Sequence, residues 1–129
     1  INTKIKNYEN KILLNLKKHK ISFICLAGYM KIVSSNLIKY YQKKIINIHP
    51  SLLPKFKGLN TFSRMLNEKE VKAGCTVHYV NEKLDSGNTI VKKSFFINFN
   101  DDEKILRKKT QELEYRAFPE AIMRIFREN

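Results

Sequence analysis

The stretch KIINIHPSLLPKFKG, residues 44–58, changes character at His49. Residues 44–49 form an apolar run of strand length. Continuous runs of this kind suit a strand buried on both faces, as in a parallel sheet. Residues 49–58 carry Pro50, Pro54 and Gly58 and read as an ordered loop rather than a regular element. Side chains alternate across a strand, so Asn47 and His49 share one face while Ile46 and Ile48 take the other. In open α/β sheets ligands bind outside the carboxyl ends of the strands. An amide and an imidazole there make a candidate site, although the same pair could simply satisfy backbone groups of the loop.

Upstream, Ile5, Tyr8, Ile12, Leu13 and Leu16 recur at helical spacing, which predicts an amphipathic helix over residues 4–19. ISFICLA, residues 21–27, reads as a second strand buried on both faces and ends at Gly28. Ser34 and Ser35 are placed to cap a short helix running to Tyr41. Downstream, a helix is expected over 60–69 and a strand over 75–81. A loop closing at Asp85-Ser86-Gly87 follows, then a further strand over 88–99. The last helix should start at Asp101 or Asp102 and run to about 127, broken or kinked at Pro119, which lacks an N–H and crowds the preceding turn. The order αβαβαββα predicts an α/β sheet. No Gly-rich phosphate loop of either common nucleotide-binding pattern is present.

At 129 residues and 43% hydrophobic the chain is expected to form one domain, residues 1–129. No apolar run approaches the roughly 20 residues of a membrane span. The first residues, INTKIKNYEN, do not resemble a signal peptide, and a cytoplasmic location is expected. Cys25 and Cys75 both sit in apolar runs and are expected to be buried, reduced thiols. The net charge is +13. The lysines are scattered in ones and twos, lysine outnumbers arginine, and no basic stripe is interleaved with aromatics. That pattern argues against nucleic acid as the partner and leaves a basic surface that steers small anions.

Asp85 ends a loop after another strand and could meet His49 across neighbouring strand ends. A carboxylate beside an imidazole favours its cationic form. Asn47 with an imidazolium is suitable equipment for stabilising a tetrahedral oxyanion. No serine or cysteine nucleophile stands out, which favours direct transfer between two bound substrates. His78 and His19 read as structural, and three scattered histidines do not make a metal site.

LAGYMKIVS (26–34), INIHPSLLPKFKG (46–58), GCTVHYVNEKLDSG (74–87) and ELEYRAFPEAI (112–122) resemble, in order and spacing, the family of formyltransferases that use 10-formyltetrahydrofolate. The resemblance covers nearly all of the chain. GYMKI and PKFKGLNT are most similar to the branch that formylates phosphoribosylglycinamide in purine synthesis. It implies a Rossmann-like, mostly parallel sheet flanked by helices, here lacking the first βα units and their phosphate cradle, so that the 129 residues alone would be poorly active and would self-associate through an exposed sheet edge. It implies Asn47, His49 and Asp85 as catalytic residues and no metal. The formyl folate co-substrate would lie against Met30, Lys31, Ile32, Val33, Val80, Glu82, Leu84 and Asp85. Phosphoribosylglycinamide would meet Pro50, Gln111 and Glu114. Formyltetrahydrofolate deformylase and methionyl-tRNA formyltransferase share the same three polar residues and remain alternatives. So does an inactive basic binding module. Relatives usually carry Pro at position 57, His at 60, Pro at 88 and Gln at 92, where this chain has Lys57, Asn60, Asn88 and Lys92.

Overall fold

The computed structural model describes residues 3–29 and 31–127, with side chains from residue 8 onward. The order of elements is the expected one: α1 (Thr3–Lys18), β1 (Ile24–Ala27), α2 (Ser35–Tyr40), β2 (Ile45–His49), α3 (Thr61–Asn67), β3 (Lys72–Tyr79), β4 (Thr89–Phe96) and α4 (Glu103–Arg127). The four strands form one sheet in the order β1-β2-β3-β4. The fold is α/β and Rossmann-like, but the described sheet is mixed rather than mostly parallel. Only β1 and β2 run parallel; β2–β3 and β3–β4 are antiparallel. The short return from β3 to β4 through residues 80–88 dictates the last pairing, because a parallel return needs a crossover of a dozen or more residues.

The apolar run 21–27 behaves differently from its reading as a strand buried on both faces. Its first residues are used to close α1. The Ile21 N–H bonds the Leu16 carbonyl at 2.9 Å and the Lys20 N–H bonds the Lys17 carbonyl at 3.1 Å, with Lys20 at φ +53°. This is a Schellman closure with lysine in the left-handed position that glycine usually takes. Only Ile24–Ala27 then pairs, and among the described residues nothing pairs with the outer edge of β1. Cys25 is therefore exposed rather than buried, while Cys75, in the centre of the sheet, is fully buried.

Alternation along β2 sends its residues to two cores. Ile46 and Ile48 pack with Cys75, Val77 and Val91 against Ala117, Ala121 and Ile125 of α4. Ile45, on the opposite face, packs with Val33, Leu37 and Tyr41 under Leu13 and Leu16 of α1. Asn47 and His49 share that second face, where the helical cover stops short of the strand end. Glu9 of α1 is buried, and its carboxylate accepts the Ser34 N–H at 3.1 Å. Ser34 in turn caps α2 by accepting from the Leu37 N–H. These bonds fix the segment that leads from β1 into α2.

Asp102 starts α4, accepting the Ile105 N–H at 2.8 Å. The helix continues through Pro119 without a break. A proline removes one helical hydrogen bond, and here burial of Ala117 and Ala121 on either side of it holds the helix to the sheet.

Candidate active site

His49 closes β2 and is buried. Its Nε2–H donates to the Phe56 carbonyl at 2.8 Å, across the loop that follows the strand. Its Nδ1 lies 3.5 Å from Asp85 Oδ2. Both ring nitrogens thus face acceptors, an arrangement that a doubly protonated ring satisfies completely. The loop is held from beneath by Thr76, whose hydroxyl donates to the Ser51 carbonyl at 2.7 Å and accepts the Leu53 N–H at 3.1 Å.

Asp85 stands in the 80–88 loop at φ +48°, a left-handed conformation rare outside glycine, asparagine and aspartate. Its Oδ2 also accepts the Gly58 N–H at 2.9 Å, so one carboxylate joins the two loops. Gly87, two residues on, admits no side chain: a Cβ there would lie 1.5 Å from the Tyr79 carbonyl oxygen.

Asn47 projects beside His49, with Nδ2 3.5 Å from Nε2 of His78. The structure therefore adds His78, which in the sequence alone reads as a structural strand histidine. Asn47 and His78 are register partners across β2 and β3. Alternation placed His78 on a face with Thr76, but only the antiparallel register puts that face opposite Asn47. His78 Nε2 is also 3.9 Å from Asp85 Oδ1, so the carboxylate lies between two imidazoles. Burial holds the His78 ring below its usual range, against the opposing pull of the Tyr79 carbonyl and the Asp85 charge.

Asn47, His49, Pro50, Asp85, Gln111 and Glu114 line one cavity of about 440 Å³. Its far wall is α4, which adds Glu103 and Arg107. Burial raises the Glu114 carboxyl above the usual range. A much narrower groove of about 30 Å³ shares Asn47, Leu84 and Asp85 with the cavity and extends along Lys31, Ile32, Val33 and Val80. Met30 lies outside the described residues. Glu82, expected in the groove, lines neither space; Asn81 and Lys83 line it instead. The Asn81 side chain accepts the Lys83 N–H at 2.9 Å, and this turn leaves Glu82 exposed at its tip. Among the described residues no group of three or more His, Cys, Asp or Glu side chains is arranged to hold a metal ion.

The four departures from the family pattern are accommodated in different ways. Lys57 donates to the Ser86 hydroxyl at 2.9 Å, tying the two loops together again. Lys92 donates to the Leu53 carbonyl. Asn88 serves through its backbone carbonyl, which accepts the Tyr79 N–H at 2.9 Å and which a proline would also supply. Asn60 precedes α3 in a left-handed conformation, makes no side-chain cap and lines the cavity.

The family model described as formyl transferase matches residues 2–122. The chain belongs to this formyl transferase family. It is 37% identical over 126 residues to phosphoribosylglycinamide formyltransferase of Bacillus subtilis (strain 168), covering 93% of this chain and 65% of that protein. It is 43% identical over 115 residues to the trifunctional purine biosynthetic protein adenosine-3 of Drosophila pseudoobscura pseudoobscura, covering 89% of this chain and 8% of that much longer protein. Among solved structures, phosphoribosylglycinamide formyltransferase from Bacillus halodurans superposes with a TM-score of 0.88 at 36% identity, over 92% of this chain and 61% of that one. A formyltetrahydrofolate deformylase from Pseudomonas syringae superposes with a TM-score of 0.83 at 26% identity, over 88% of this chain and 38% of that one. The chain thus spans less than two thirds of these relatives' length.

Proposed function

We propose that this site transfers a formyl group from 10-formyltetrahydrofolate to the amine of phosphoribosylglycinamide, a step of purine biosynthesis in the cytoplasm. The observation that carries the reading is the meeting of Asn47, His49 and Asp85 at the carboxyl end of β2, on the wall of a cavity of about 440 Å³. The amine attacks the formyl carbon, and charge develops on the formyl oxygen. The Asn47 amide donates to that oxygen, and a protonated His49, both of whose N–H groups face other acceptors, stabilises it by its positive charge; loss of one oxyanion donor typically costs about 10²–10³ in kcat. Asp85 holds His49 in place; a water carries the amine proton to it, and as the tetrahedral adduct collapses the bond from the formyl carbon to N10 breaks and that proton passes to N10, releasing tetrahydrofolate. Pro50, Gln111 and Glu114 face the acceptor. The folate lies against Lys31, Ile32, Val33, Val80 and Leu84. The groove there is narrow and has to widen for a pterin, so weak binding is expected of this chain.

Hydrolysis of the formyl folate, with water in place of the amine, would use the same three residues. Product folate is followed by absorbance with and without phosphoribosylglycinamide. Release that requires the amine and falls in His49→Ala supports the transfer. Release of equal rate without it assigns a deformylase, and release indifferent to His49 refutes the site. Titration calorimetry with a non-reactive folate analogue tests the groove separately. No heat from a folded chain at near-millimolar ligand removes the folate assignment.

A further inference from the structure

Formyl transfer at this site requires Asn47 to act as a donor, yet an amide offers an oxygen as readily as an NH2. His78 settles which. Its Nδ1 lies 2.9 Å from the Tyr79 carbonyl oxygen, an acceptor that only a protonated Nδ1 can satisfy. In the neutral ring Nε2 then carries a lone pair and no hydrogen. That lone pair is 3.5 Å from the Asn47 amide nitrogen. With the amide turned over, oxygen and ring nitrogen would face each other lone pair to lone pair. The orientation has a visible cost, because Asn47 Oδ1 is left buried with no hydrogen-bond partner. A buried polar atom without a partner calls for a reason, and the acceptor-only nitrogen of His78 supplies one.

We propose that His78 is a positioning residue that locks the Asn47 amide with its NH2 toward the Asp85 side of the site, keeping one N–H for the reacting oxygen. The inference rests on the formyl-transfer reading for its purpose, but not for its geometry. Loss of the lock has a defined route. A second proton on His78 places a donor on Nε2, and the amide oxygen then becomes the better partner. Asp85 and the Asn47 amide face that ring at its Nε2, and the charge of His49 also reaches it; Lys31 and Lys83 line the groove it borders. Asp85 favours the second proton, whereas burial and His49 oppose it.

Two measurements test the lock. In the isotope-labelled chain, nitrogen–proton correlations within the ring report the tautomer of His78. The neutral Nδ1–H form is expected at neutral pH, with the Asn47 side-chain amide signals shifting as His78 takes up its second proton. An Nε2–H tautomer, a doubly protonated ring at neutral pH, or Asn47 signals indifferent to that titration would overturn the proposal. Turnover is the second readout. His78→Phe should lower kcat about 100-fold, the scale of one lost oxyanion donor, with KM little changed. In an Asn47→Ala background the same substitution should cost nothing further, because the two act as one unit. Additive losses would overturn the lock and assign His78 a merely structural part. The ring tautomer is read whether or not formyl transfer is observed, so the two readings fail separately.

Discussion

Gly87→Ala offers the sharpest link between backbone geometry and the site. A Cβ at this position would lie 1.5 Å from the Tyr79 carbonyl oxygen and 2.5 Å from its carbon. Ordinary contacts are about 3.5–4.0 Å, so the 84–87 segment has to retreat from the end of β3 by roughly 2 Å. The neighbour is backbone and cannot swing aside. Overpacking of this kind costs about 1–3 kcal/mol, against a total stability of roughly 5–15 kcal/mol. For a chain of this size about 2 kcal/mol corresponds to a drop in Tm on the order of 8 °C. Asp85, two residues upstream, is carried with the loop. Its contacts, 2.9 Å to the Gly58 N–H and 3.5 Å to His49 Nδ1, have little slack. A misplacement of about 1 Å in such a site costs about 10²-fold in rate. Thermal melting gives the stability loss. Hydrogen exchange at the Gly58 amide reports whether the Asp85 bond survives. A variant that melts with the parent and keeps the Gly58 amide protected would refute the reasoning, because it would mean that the loop sits elsewhere.

Other consequences are read from single groups. Cys75 is buried, and burial, reinforced by the Glu114 charge, pushes its thiol up to about 12; a thiol reagent followed by mass spectrometry should modify exposed Cys25 in the folded chain and Cys75 only after unfolding. The edge at β1 should drive self-association, and Cys25→Lys, which puts a charge on that edge, should shift the chain toward monomer in size-exclusion chromatography; an unchanged elution volume would place the contact elsewhere. Burial lowers the His78 ring and raises the Glu114 carboxyl, and the two act oppositely on stability. The His78 contribution is complete above the unfolded value of about 6.5 and is lost as pH falls below that and through the lower folded value. Ionised Glu114 costs stability as pH rises above its unfolded value of about 4.3. Glu114→Gln should therefore raise Tm at pH 7 and leave it unchanged near pH 4, and His78→Phe should flatten the fall in Tm below about pH 6.5.

Element order was legible in the sequence because it depends on local periodicity and punctuation. The αβαβαββα succession, the Ser34 and Asp102 caps and the shared face of Asn47 and His49 all follow from residues a few positions apart. The candidate trio Asn47, His49 and Asp85 was legible through its strand end, its loop and its family pattern, and the structure brings the three side chains to the wall of one cavity. Tertiary structure decided what alternation alone leaves open, namely which face meets which partner. His78 joins the site only because antiparallel register sets it opposite Asn47. Cys25 is exposed because, among the described residues, nothing pairs beyond β1, and Ile21 leaves the strand because its N–H closes α1. Pro119 stays within a helix because packing on the sheet outweighs one missing hydrogen bond. The polarity of each strand pairing was equally out of local reach. A strand reads the same in sequence whichever way its neighbour runs, and only the length and path of the connections choose.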